Sequence, residues 1–197
     1  MINSTLIIFI RNPELGKVKT RLARDLGAEK ALAIYKALLR HTRETATQVQ
    51  ARRLLFYSQD IQESDDWPRT QFEKRLQSGN DLGERMQHAF ATALTTTDKA
   101  IIVGSDIAQI NAEIIKKAFA ALDEADFVIG PALDGGYYLL GMKQPTPELF
   151  QNMPWSTDQV CAVTQQRIRQ LGKTYRLVDT LSDIDYASDW EQYGWEL

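Results

Sequence analysis

The chain has 197 residues, 44% of them hydrophobic and 25% charged, with a net charge of -3. These proportions are ordinary for a folded globular protein, and the length suits a single domain over residues 1–197. Mild acidity argues against a nucleic-acid partner, one cysteine (Cys161) excludes an intrachain disulfide and a cysteine-cluster zinc site, and no apolar run approaches the ~20 residues of a membrane span.

Taken in chain order, residues 5–10 are mostly apolar and predict a strand near the middle of a sheet. This stretch lacks a preceding basic region and runs straight into charge, so no signal peptide is expected and a cytoplasmic location is. Leu22, Leu26, Leu32, Tyr35, Leu38, Leu39 and Val49 then recur at roughly helical spacing, broken near Gly27. That predicts a short turn followed by a long helix over residues 28–50. A second strand is expected at 53–58, and the polar stretch 59–69, with Pro68, reads as loop. Leu82, Met86, Ala89, Phe90 and Leu94 mark a helix, residues 99–104 a strand, and Ile110 to Leu122 another helix. Two strands, 126–131 and 137–142, flank Asp134-Gly135-Gly136. Residues 157–171 read as helix, 174–178 as strand and 186–193 as a closing helix. Alternation of this kind implies crossover connections and a mostly parallel sheet covered by helices on both faces. The adjacent strands near Asp134 point to a local antiparallel or mixed addition.

Three constellations carry chemistry. The first is the loop after the first strand, from Arg11 to Arg21. It holds Gly16, Lys17, Lys19, Thr20 and Arg21 just before a helix, where backbone, cations and a helix dipole can all favour an anion. It is not a Walker A loop: Arg11 stands where that motif has glycine, and Val18 follows Gly16-Lys17. The dinucleotide fingerprint is absent too. The second is Val103-Gly104-Ser105-Asp106, which places a carboxylate at the carboxyl edge of the sheet, where open α/β sheets bind ligands. A lone carboxylate there suits Mg2+. Asp106 could instead cap the next helix, but Asn111 stands closer to that start. The third is the segment from Gly130 to Tyr138. Its Asp-Gly-Gly is a turn signal, while Asp134 beside aromatic rings could orient or deprotonate a hydroxyl.

Five motifs occur in one order: Lys17-Val-Lys-Thr-Arg-Leu, Gly79-Asn-Asp-Leu-Gly-Glu-Arg-Met86, Gly104-Ser-Asp106, Gly130 to Gly141 and Trp155-Ser-Thr157. Together they resemble the bacterial glycosyltransferase-A-like family of selenodomain-associated transferases. That family resembles, more distantly, 2-phospholactate and molybdenum-cofactor guanylyltransferases. The resemblance implies an α/β nucleotide-diphospho-sugar transferase (GT-A-like) fold. It implies a transferase that takes a nucleoside triphosphate or sugar nucleotide and a small-molecule acceptor, with Mg2+ or Mn2+. Lys17, Lys19 and Arg21, with Gly16 and Thr20, would match the triphosphate-binding loop. Gly83, Arg85 and Ser105 fall among the expected nucleotide contacts. Asp106 would match the metal aspartate, and Asp183-Ile184-Asp185 the late acidic segment, with Asp185 the second metal carboxylate; the local reading of these acids is a cap for the last helix. Lys17 and Arg21 would stabilise charge on the phosphates, and Asp134 would position or deprotonate the acceptor. Family members continue the metal segment as Asp-Cys-Pro-x-Leu, whereas this chain reads Asp106-Ile107-Ala108-Gln109-Ile110. The missing proline favours an alternative, a catalytically silent nucleotide- or anion-binding module of the same fold.

The remaining reactive residues point elsewhere. His41 and His88 lack a third ligand at metal spacing, Ser105 and Ser156 lack a histidine partner, and Cys161 falls in an apolar helical pattern. Trp155 could line an acceptor pocket or plug the sheet edge.

Overall fold

The computed structural model describes residues 3–197. Strand β1 (Ser4–Ile10) leads through the basic loop into helix α1 (Thr20–Leu26), and Gly27 alone joins α1 to the long helix α2 (Ala28–Thr47). Strands β2 (Arg52–Tyr57) and β3 (Glu73–Leu76) precede helix α3 (Leu82–Ala93). Strand β4 (Lys99–Val103), helix α4 (Ala112–Glu124) and the pair β5 (Phe127–Pro131) and β6 (Tyr137–Met142) follow. A short 3-10 turn (Pro147–Leu149), helix α5 (Val160–Gln170), strand β7 (Tyr175–Leu177) and helix α6 (Ala187–Tyr193) complete the chain.

These elements build one seven-stranded sheet in the order β3-β2-β1-β4-β6-β5-β7. All neighbours are parallel except β6, which runs antiparallel to both β4 and β5. The expected antiparallel addition is therefore real, and it is inserted between two parallel strands rather than appended at an edge. Strand β3 was not expected. Its sequence, Glu-Lys-Arg-Leu, carries charge because it is an edge strand, and charge on an edge discourages further pairing. The segment from 20 to 26, expected as a turn, is instead a helix of its own.

Alternation along β1 sends its side chains to opposite faces. Leu6, Ile8 and Ile10 pack with Tyr35 and Leu39 of α2 and with Ile115 and Leu122 of α4. Ile7 packs on the other face with Met86 and Phe90 of α3 and Ile168 of α5. A third cluster joins Leu22 of α1, Ile34 and Leu38 of α2, Ile184 just before α6, and Trp190 within it. This last cluster draws the end of the chain back against the basic loop, which positions the site.

Candidate active site

The chain passes from β1 outward to β2 and β3, then crosses to β4 on the other side of β1. The loops after β1 and β4 therefore leave the carboxyl ends of adjacent strands in different directions. They open a crevice at the switch in strand order, the usual ligand position in such sheets. Tyr35 of α2 ties the two loops together. Its hydroxyl accepts from the Arg11 N–H (2.8 Å), donates to the Arg11 carbonyl (3.1 Å) and lies 3.2 Å from the Ser105 hydroxyl. Ser105 is itself buried.

Lys19 is the centre of the crevice. Its Nζ donates to Asp106 Oδ2 at 3.0 Å and to Asp185 Oδ1 at 3.2 Å, with only 8% of its side chain exposed. Its backbone is left-handed, at φ 46° and ψ 50°, which a residue with a Cβ adopts only at a cost. Arg21 Nη1 donates to Asp185 Oδ2 at 2.9 Å. Burial opposes the Lys19 ammonium, but Asp106 and Asp185 outweigh it and raise its pKa. Burial likewise opposes the Asp106 carboxylate, and Lys19 outweighs it, holding that carboxyl below the usual range. A Cβ on Gly104 would lie 2.9 Å from Asp106 Oδ1, so a side chain there would shift that carboxylate.

The late acidic segment reaches this point by backbone pairing. Ile107 and Asp183 form an antiparallel bridge, and the Ile184 N–H donates to the Asp106 carbonyl at 3.0 Å. Neither Asp183 nor Asp185 caps the last helix. Asp189 does so, its Oδ2 accepting from the N–H groups of Asp185 (2.9 Å) and Tyr186 (2.7 Å). Nor does Asp106 cap α4, because Asn111 accepts from the Ile114 N–H. The caps are provided elsewhere, so Asp106, Asp183 and Asp185 are left to converge. Asp183 Oδ1 is buried with no hydrogen-bond partner among the described residues. Burial first, then the charges of Asp106, Asp134 and Asp185, push its pKa up to about 8.

The other expected residues are dispersed around this group. Lys17 lies on the surface, 63% exposed, paired with Glu14 at 2.5 Å. Gly16 is exposed on the same loop, and Thr20 is exposed as the first residue of α1. Asp134 is exposed, and its Oδ1 accepts from the Gly136 N–H at 2.8 Å, an ordinary turn contact. Gly83 is buried beneath Trp155, and a Cβ on it would lie 3.0 Å from both the Trp155 ring and the Phe150 carbonyl. Arg85 Nε donates to the Gly79 carbonyl at 3.0 Å. Trp155 packs against the second core cluster, with Nε1 buried and unpartnered among the described residues. Cys161 is a buried thiol whose pKa burial raises, consistent with packing. Sequence reasoning missed Tyr35, which looks like one more member of an apolar helix face, and it named Asp185 but not the buried Asp183 as a site carboxylate.

Among the described residues, no group of three or more histidine, cysteine or acidic side chains is arranged to cage a metal unaided. The acids still fit a hard cation of the Mg2+ kind, which takes one or two carboxylates and completes its shell with water and substrate phosphate. The unpartnered Asp183 oxygen beside Asp106 is the observation that favours this fit.

Comparison with known proteins agrees with the fold. A model of the family described as "Uncharacterized protein conserved in bacteria (DUF2064)" matches residues 41–157. This chain belongs to that family. The DUF2064 match includes Asp106 and Asp134 and leaves Lys19 and Asp185 outside. A solved structure from Desulfovibrio desulfuricans G20, described as a candidate nucleotide-diphospho-sugar transferase, is 30% identical. It superposes with a TM-score of 0.87 over 94% of this chain and 84% of its own. CMP:2-keto-3-deoxy-manno-octonic acid synthetase, solved with CTP, superposes at 0.58 with 11% identity over 96% of each chain. A Mycobacterium tuberculosis H37Rv protein solved with manganese superposes at 0.57 with 12% identity over 98% of this chain and 97% of its own. The two distant likenesses show the nucleotide-diphospho-sugar transferase fold alone. No curated protein matches the sequence.

Proposed function

We propose that this DUF2064 protein is a single-domain, metal-dependent transferase that moves a nucleotidyl or glycosyl group from an activated nucleotide to a small acceptor. The observation that carries this reading is the convergence of Lys19, Arg21, Asp106, Asp183 and Asp185 at the switch in strand order. The relative described as a candidate nucleotide-diphospho-sugar transferase, the CTP-bound neighbour and the manganese-bound neighbour support it. So does the resemblance to selenodomain-associated transferases and guanylyltransferases.

In this reading Asp106 and Asp185 would hold Mg2+ or Mn2+, with Asp183 beside Asp106. When bound, the ion supplies positive charge to phosphate oxygens. Lys19 and Arg21 turn from the carboxylates towards the phosphates, and the exposed Lys17 reaches them from the solvent side. These cations stabilise charge that grows during transfer, commonly the largest catalytic contribution in such sites. Gly16, Thr20 and Ser105 shape the phosphate side of the crevice, and Gly83 and Arg85 the nucleoside side. Asp134 orients or deprotonates the acceptor hydroxyl.

One observation favours the silent module as a second reading: Lys19 pairs with both Asp106 and Asp185, the two carboxylates a metal would need. A thermal-shift screen separates the two. Nucleoside triphosphates and sugar nucleotides are each added with and without Mg2+ or Mn2+, since a ligand that binds the native state raises its melting temperature. A transferase shows a metal-dependent rise that Asp106→Ala abolishes. Pyrophosphate release then marks nucleotidyl transfer, and nucleoside diphosphate release glycosyl transfer. A rise that needs no metal supports the silent module, and no rise with any nucleotide removes the transferase reading.

A further inference from the structure

A cavity of about 700 Å3 lies apart from the acidic cluster, between α2 and the 59–67 loop. None of Lys19, Arg21, Asp106, Asp183 and Asp185 lines it. Its volume falls within the roughly 300–1,000 Å3 of small-molecule sites. Its floor is apolar and rigid, made by Ile10, Leu39, Tyr57 and Trp67, all under 9% exposed.

The facing loop is polar in sequence yet firmly pinned. Asp65 accepts from the Tyr57 hydroxyl (2.5 Å), the Trp67 N–H (3.0 Å) and Lys74 Nζ (2.7 Å), and the Lys74 side chain is 1% exposed. The buried Asn12 side chain donates to the Asp60 carbonyl and accepts from the Gln59 N–H. Burying a lysine to fasten a surface loop is costly. The result is a preformed wall opposite α2.

The charges of the lining are unevenly matched. Asp65 is neutralised by Lys74, Asp66 pairs with Arg43, and Glu14 pairs with Lys17. Asp60 has no cationic partner among the described residues. Lys36 and Arg40, one helical turn apart on the exposed side of α2, make no ion pair among the described residues either. Two free cations therefore stand against one free carboxylate above an apolar floor.

We infer that this cavity binds a small phosphate ester with a flat apolar body. The body rests on Tyr57, Trp67 and Leu39, and the phosphate engages Lys36 and Arg40 through charge-assisted hydrogen bonds. Two adjacent cations suit a dianion better than a monoanion. The inference does not depend on the transferase reading, because the two sites share no side chain.

Isothermal titration of the full chain with phenyl phosphate, benzoate, phenol and inorganic phosphate tests it. Phenyl phosphate is expected to bind saturably at millimolar concentration, at least about tenfold more tightly than the other three. The double variant Lys36→Ala/Arg40→Ala should weaken phenyl phosphate at least about tenfold, and Lys36→Glu/Arg40→Glu should abolish binding. Both positions are exposed, and a melting curve confirms folding. Asp106→Ala should leave this binding unchanged even if it ends nucleotide binding, so the two readings fail separately. The inference is overturned by any of three results: no saturable phenyl phosphate binding, binding indifferent to the Lys36 and Arg40 variants, or phenol binding as tightly as its phosphate.

Discussion

Lys19 concentrates what is unusual about this protein. It combines a left-handed backbone with a side chain buried between two carboxylates. Strain of this kind persists only where surrounding contacts over-determine it, and it gathers at functional sites. Replacing Lys19 with Met should leave Asp106 and Asp185 without the ammonium they share. Breaking a fully buried pair costs about 3–5 kcal/mol. Because Asp106 and Asp185 are each about a third exposed, solvent screens part of that, and a loss of about 1–3 kcal/mol is expected. Urea unfolding in metal-free buffer measures it; an unchanged midpoint would show that the ammonium does not hold the cluster together. The cations and Asp106 could be read from local order, a strand followed by a charged loop. Tyr35 could not, because a tyrosine on an apolar helix face looks like packing until its hydroxyl is seen meeting Arg11 and Ser105.

At the scale of elements, boundaries follow local chemistry that the sequence states openly. Helix α4 starts at Asn111, whose side chain accepts from the Ile114 N–H at 3.0 Å. Asn111→Ala should cost about 1 kcal/mol in chemical denaturation without altering nucleotide binding, since Asp106 does not share the cap. The pairing of β5 with β7 is fastened by Asp126, whose Oδ2 accepts from the Thr174 N–H and hydroxyl, both at 2.9 Å. The Thr174 N–H bond holds the Asp126 carboxyl below its usual pKa. A carboxylate depressed in the folded state adds stability above its unfolded pKa, about 3.9, and loses it as pH falls through the folded value. Asp126→Asn should therefore be less stable than the parent by about 1 kcal/mol at neutral pH, a modest figure because the group is partly exposed. Denaturation midpoints measured down the pH scale should converge below about pH 4. A gap that persists in acid would assign the effect to shape rather than charge.

For the whole molecule, the sheet order predicts where stability resides. Leu6, Ile7, Ile8, Ile101 and Leu140, on β1, β4 and β6, are all fully buried, whereas β3 and β7 are edges with exposed Leu76 and Leu177. Native-state hydrogen exchange should find the slowest amides in β1 and β4 and markedly faster ones in β3 and β7. Uniform protection across the sheet would contradict this order. The sequence by itself determined the fold class, most elements and the basic loop after the first strand, because hydrophobic period, caps and turn residues act over a few neighbouring positions. It could not reveal the charged edge strand β3, whose apolar signal is absent. Only the tertiary structure decided that β6 lies between β4 and β5, that Asp183 and Asp185 return to Asp106, and that Lys36 and Arg40 overlook a pinned cavity. Those facts depend on pairing between distant segments, and no local spacing records which distant backbone will satisfy which hydrogen bond.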